Sequence, residues 1–256
     1  MLQKNFPILE YDKNTNPLIN PKKIINSIEG IFKNCTLCFF TRSIEQIIKE
    51  YPNKIIYNFI HTGINFPLYE LDYKGSKIGL INAAMGSSIA AIQIEELSAI
   101  GIKKIISCGS CGVLTKELTV GHLIIPNIAI RDEGTSYHYI EPSREISVNE
   151  HILEIIEKKF IKEKIPYVIG KTWTTDAPFR ETPEKIELRK NEGCITVEME
   201  LSANLAVSQY NNIEFGQILC SQDSLAGPEW DRRNYKTKEE IREALLKLTL
   251  DICLEL

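Results

Sequence analysis

With 256 residues, 43% of them hydrophobic and 25% charged, the chain has a globular composition and enough length to bury a core without disulfide or metal staples. Its net charge of −4 excludes the strong basic field that holds nucleic acid or an anionic membrane. Apolar runs such as Ile124 with Ile125 fall far short of the ~20 residues of a membrane span, and Met1-Leu2-Gln3-Lys4-Asn5 lacks the apolar stretch of a signal peptide, so a cytoplasmic protein is expected.

Residues 1–34 are polar, carry Pro7, Pro17 and Pro21, and read as an extended arm with one short helix over 24–32. A single domain over 35–256 follows. A strand is expected over 35–40, then a helix over 43–51 with Ser43 as its N-cap. Strands over 54–60, 66–73 and 77–83 come next, the last two joined at Lys74-Gly75-Ser76. A helix over 87–100 closes at Gly101. Strands over 103–108 and 121–130, a helix over 149–164 and a strand over 167–172 continue the alternation. A helix over 182–191, a strand over 194–197 running into a helix over 198–210, a strand over 215–220 and a helix over 238–254 complete it. Non-alternating apolar strands between helices predict an α/β fold, a mixed, mostly parallel central sheet covered by helices. Ligands of such sheets bind beyond the carboxyl ends of the strands.

Seven cysteines, an odd number, argue against a disulfide framework. Cys35 and Cys38 sit three apart in a strand, so their thiols point to opposite faces and do not chelate together. Cys108-Gly109-Ser110-Cys111 has a glycine that could turn the chain back, yet small buried apolar side chains are the better reading. The four histidines show no metal-ligand spacing, and no metal is expected.

The predicted strand ends carry the chemistry. Met85-Gly86 opens a helix after one strand, and Gly109-Ser110-Cys111-Gly112 follows another. Glycines there bare main-chain N–H groups, and a helix start attracts anions. Neither segment matches a nucleotide-cofactor motif, so no cofactor is expected. Two other ends bring acids. Glu198-Met199-Glu200 sits at a strand-to-helix junction, where the two carboxylates either project together or simply favour the helix dipole. Gln222-Asp223 follows the strand ending at Cys220.

Val197-Glu198-Met199-Glu200, with Gly109-Ser110-Cys111-Gly112 before it and Gln222-Asp223 after it, resembles the nucleoside phosphorylase-I family over roughly 35–254. Arg131-Asp132-Glu133-Gly134-Thr135-Ser136 is similar to a segment of its uridine phosphorylase members. The resemblance implies N-glycosidic bond cleavage in a nucleoside, with inorganic phosphate as co-substrate, by a homo-oligomer (trimer or hexamer). It implies that Met199 and Glu200 contact the ribose, that Glu198 lies beside the base, and that Met85 and Gly86 line the ribose pocket. Asp223 matches the aspartate with which purine-cleaving members protonate the leaving base at N7, which tilts the substrate towards a purine. Phe179 lies near the position of a base-stacking aromatic, one residue out of register because Pro178 occupies it. Gly109 and Ser110 match the phosphate segment.

The phosphate half departs from the family. Where members carry G-D-P-x-R, this chain has Phe39-Phe40-Thr41-Arg42-Ser43, with Ser43 in the arginine register and Arg42 beside it as the remaining phosphate candidate. A second family arginine is replaced by Ser107, and no histidine precedes His61. Arg131, Arg180, Arg232 or Arg233 could substitute, the last two from the charged segment Glu229-Trp230-Asp231-Arg232-Arg233. Failing that, water is the nucleophile, as in the nucleosidase branch, for which Glu45 is the only nearby carboxylate and a poor match. A non-catalytic nucleoside-binding protein is the third alternative.

Overall fold

The computed structural model describes residues 3–61, 63–233 and 238–256. After a four-residue helix α1 (Pro21–Ile24) the chain forms β1 (Asn34–Cys38), α2 (Thr41–Glu50), β2 (Asn53–His61), β3 (Ile64–Tyr73) and β4 (Ser76–Asn82). Helix α3 (Ser87–Ile100), β5 (Lys104–Val113), β6 (Leu123–Asp132), β7 (Glu145–Ser147), α4 (Glu150–Glu163) and β8 (Tyr167–Thr175) follow. The last elements are α5 (Pro183–Asn191), β9 (Cys194–Glu198), α6 (Leu201–Asn211), β10 (Glu214–Ser224) and α7 (Lys238–Glu255).

All ten strands join one sheet. Strand β10 pairs with both β5 and β6, and β8 and β9 complete the circuit from β6 back to β5, so five strands close into a ring. From β5 the sheet extends through β1 and β4 to the β3–β2 hairpin. The β4–β1–β5–β10 and β6–β8–β9 pairings are parallel, as buried strands between helices favour, whereas the β2–β3–β4 meander and the β5–β9, β6–β7 and β6–β10 contacts are antiparallel. The sheet is thus mixed. Ile105, Ile106 and Cys108 of β5 are fully buried with Leu37 and Ile94 in the main core, each large side chain contributing about 1.5–3 kcal/mol of burial.

Local differences from the sequence reading have local causes. The predicted helix over 24–32 is only Pro21–Ile24, capped by the Asn20 side chain; beyond it Ile28 donates its N–H to the Ile100 carbonyl and Ile31 docks in the core. Helix α2 starts at Thr41 instead of Ser43, because buried Phe40 anchors the junction and its carbonyl accepts the Ile44 N–H. Ser43 is therefore buried in the first turn, not a cap. The glycines at 109 and 112 do not turn the chain: β5 runs on to Val113, held by β10 on one side and β9 on the other. All seven cysteines are free and buried, and among the described residues no cluster of histidine, cysteine and acidic groups is placed to hold a metal. No helix among them is long and apolar enough to cross a membrane.

Candidate active site

At the carboxyl ends of β1, β4, β5 and β9 the fold leaves a cavity of about 500 Å3. Asp223, Glu200, Glu198, Met199, Met85, Gly109 and Ser110 all border it. A Cβ on Gly109 would lie 2.9 Å from the Phe39 ring, and one on Gly112 would lie 2.9 Å from Leu225 and 3.0 Å from Val197. Bare backbone at these two points of β5 lets neighbouring walls close around the cavity.

The β9–α6 junction positions two acids differently. Glu198 caps α6: its Oε2 accepts the N–H groups of Glu200 and Leu201, both at 2.7 Å, and the Thr174 hydroxyl donates to Oε1. Both of its oxygens are thus engaged by the protein itself. Burial holds Glu198 above the usual carboxylate range, against the pull of these donors. Glu200 is 5% exposed and accepts the Gly86 N–H at 2.6 Å. Burial first, then the Glu198 charge, pushes it up to about 8.

Gly86 does not border the cavity; it acts through that amide. Its φ of +96° is a glycine conformation, and the Ser87 hydroxyl fixes the same loop by donating to the Met199 carbonyl at 2.7 Å. Nothing lies within 4 Å of a Cβ placed on Gly86, so an alanine there meets strain without a clash. Gly86→Ala is expected to destabilise the protein by about 1–3 kcal/mol, read as a lower urea midpoint with an unchanged slope; an unchanged midpoint would show that the loop relaxes freely.

On the other wall, Asp223 Oδ2 accepts the Trp230 indole N–H at 2.7 Å. Glu181, just past the 3-10 turn Pro178–Arg180, shares this wall. Burial, and Asp223 whenever it is ionised, pushes Glu181 up to about 7. Sequence reasoning missed Glu181, and it also missed the neutral groups Thr41, Asn82 and Gln217 that border the cavity. Gln217 is 1% exposed, and its Oε1 has no hydrogen-bond partner among the described residues.

Several expected residues lie elsewhere. Arg42 is exposed on α2, and Thr41 takes the place by the cavity, since the helix begins two residues early. Phe179 is fully exposed and does not reach the cavity; Pro178 forms the wall because the 3-10 turn points the phenyl ring outward. Arg131 is 3% exposed and donates to Ser136, Ser143 and the Glu141 carbonyl. Arg233 donates to the Leu118 carbonyl, and Glu45 is exposed. The segment 229–233 delivers Trp230 to the acid, not an arginine. Among the described residues the charged groups bordering the cavity are Glu181, Glu198, Glu200 and Asp223, with no lysine or arginine.

A sequence model of the phosphorylase superfamily matches residues 38–255. The guanosine phosphorylase of Halorubrum lacusprofundi is 25% identical over 195 residues, 73% of this chain and 79% of that protein. The AMP nucleosidase of Bacteroides thetaiotaomicron superposes with a TM-score of 0.68 at 26% identity, covering 88% of each chain. The purine nucleoside phosphorylase of Toxoplasma gondii superposes with a TM-score of 0.76 at 21% identity, covering 88% of this chain and 91% of that one, and so shares the fold. Matched from the end of β1 into the last helix, and folded like these enzymes around the same sheet, this chain belongs to the phosphorylase superfamily.

Proposed function

We propose that this protein cleaves the N-glycosidic bond of a purine nucleoside. The supporting observation is that Asp223 of β10 and Glu200 of the β9–α6 junction border one cavity. In this reading the C1′–N9 bond breaks, its electron pair leaves with the base, and protonated Asp223 delivers a proton to N7. Glu200, pre-oriented by Gly86, accepts hydrogen bonds from the ribose hydroxyls and steadies the developing positive charge on the sugar. Met85 and Met199 flank the sugar. Phosphate, approaching over Gly109 and Ser110, captures C1′ and yields ribose 1-phosphate, in keeping with the phosphorylase relatives.

A specific observation favours a second reading, in which water is the nucleophile. The described charges around the cavity are carboxylates, and its remaining polar side chains, including Thr41, Asn82, Ser110 and Gln217, are neutral. Such a lining offers no cation to grip a dianion and suits a neutral attacker. The nucleosidase among the structural neighbours fits this reading.

Incubation with inosine, adenosine, guanosine and uridine, with and without phosphate, tests both. Base release that requires phosphate and yields ribose 1-phosphate supports phosphorolysis. Release indifferent to phosphate, yielding free ribose, supports water. Nucleoside binding without any release would contradict both and leave a binding protein.

A further inference from the structure

The charged segment after Asp223 folds back on β10. Ser224 and Asp231 exchange two backbone hydrogen bonds, each 2.9 Å, which closes residues 225–230 into a ring. Leu225 donates its N–H to the Val113 carbonyl at 2.9 Å, and Arg233 ties the far end to the Leu118 carbonyl at 2.8 Å. This brings Trp230 back over Asp223. Trp230 is 62% exposed, so burial in the core does not account for its position. Its specific polar contact is the 2.7 Å bond from Nε1 to Asp223 Oδ2.

We propose that Trp230 is a positioning residue that dictates which carboxyl oxygen of Asp223 carries the transferable proton. The inference rests on the reading of Asp223 as the proton donor. An indole N–H donates and has no lone pair to accept with. A proton on Oδ2 would face the indole proton, so Oδ2 stays an acceptor and the acid carries its proton on Oδ1. That oxygen lies 3.7 Å from where a Cβ on Gly112 would stand, on the cavity wall. The proton is thereby held on the side from which a purine N7 takes it, and when it leaves, the carboxylate charge that forms on Asp223 already has a donor in Trp230. Neither oxygen has to rotate during the step.

The test uses Trp230→Phe, which keeps an aromatic ring and removes the donor. Turnover is compared on the purine nucleoside the wild type cleaves fastest and on its N7-methylated counterpart, whose base departs without a proton at N7. The expected result is a kcat about 10–100-fold lower on the unmethylated substrate, the loss of one charge-assisted hydrogen bond, with KM within about threefold. The methylated substrate should be turned over within about threefold of wild type. Trp230→Gln, which restores an N–H donor, should recover part of the loss, and Trp230→Phe should add little in an Asp223→Asn background. Equal losses on both substrates would overturn the proposal, as would unmethylated turnover within about twofold of wild type while Asp223→Asn is crippled. If Asp223→Asn itself leaves turnover intact, the reading of Asp223 fails first. Should Trp230→Phe not fold, Trp230→Leu, which also removes the donor, decides by the same criterion.

Discussion

Asp223→Asn is expected to lower kcat for purine nucleoside cleavage by about 10²–10⁴-fold, with KM changed less than about tenfold. Asparagine keeps the shape of the side chain and can still hydrogen-bond the base. It cannot yield a proton, so the leaving group must depart as an anion. That penalty is felt in the transition state and hardly at all in the bound ground state, which is why kcat carries it. The variant should fold normally, because the protein's bond to Asp223 that it alters is the one from Trp230 near the surface. Steady-state kinetics with a thermal melt checks both halves. Near-wild-type turnover would remove the proton-donor assignment.

Glu200→Gln is expected to lower kcat/KM about 10²–10³-fold above about pH 8, where Glu200 is ionised and its charge-assisted hydrogen bonds to the ribose are lost together with the grip on the Gly86 amide, and by less at lower pH. It also changes stability with a defined sign. Burial and the neighbouring Glu198 raise the Glu200 pKa from 4.5 to about 8 in the folded protein. The folded state therefore keeps a proton that the unfolded chain releases above 4.5. The associated stability is fully present below that unfolded value and is lost as pH rises towards and through about 8. Glutamine has no such titration. Relative to wild type, Glu200→Gln should gain Tm steadily across that window. Parallel Tm profiles for the two proteins would show that Glu200 does not hold its proton in the folded state.

What the sequence made legible, and what it hid, follows from the range of the forces involved. Strand β9 and the middle of β10 carry short apolar runs, so the acids near their ends, Glu198, Glu200 and Asp223, could be placed towards strand ends from local pattern alone. Which way Glu198 faces depends on the α6 N–H groups competing for it, a contact that the tetrapeptide does not announce. Glycines 109 and 112 looked like a turn, but pairing with β9 and β10, more than eighty residues away in sequence, keeps them extended. Arg42 and Phe179 were misplaced by one or two residues of local geometry: an early helix start at Thr41 and a 3-10 turn at Pro178. Glu181 and Trp230 had no periodic signal at all. Their positions arise from loops that return to Asp223 only in three dimensions.

The most direct measurement is a crystal structure of the Asp223→Asn protein with a bound purine nucleoside, since slowed turnover preserves the substrate. The account predicts N7 of the base within hydrogen-bond distance of the residue 223 amide and the ribose hydroxyls on Glu200, both inside the cavity that Gly109, Ser110 and Met199 border. A nucleoside seated elsewhere, for instance in the larger cleft between the N-terminal arm and helices α3 and α6, or turned with its sugar away from Glu200, would contradict it.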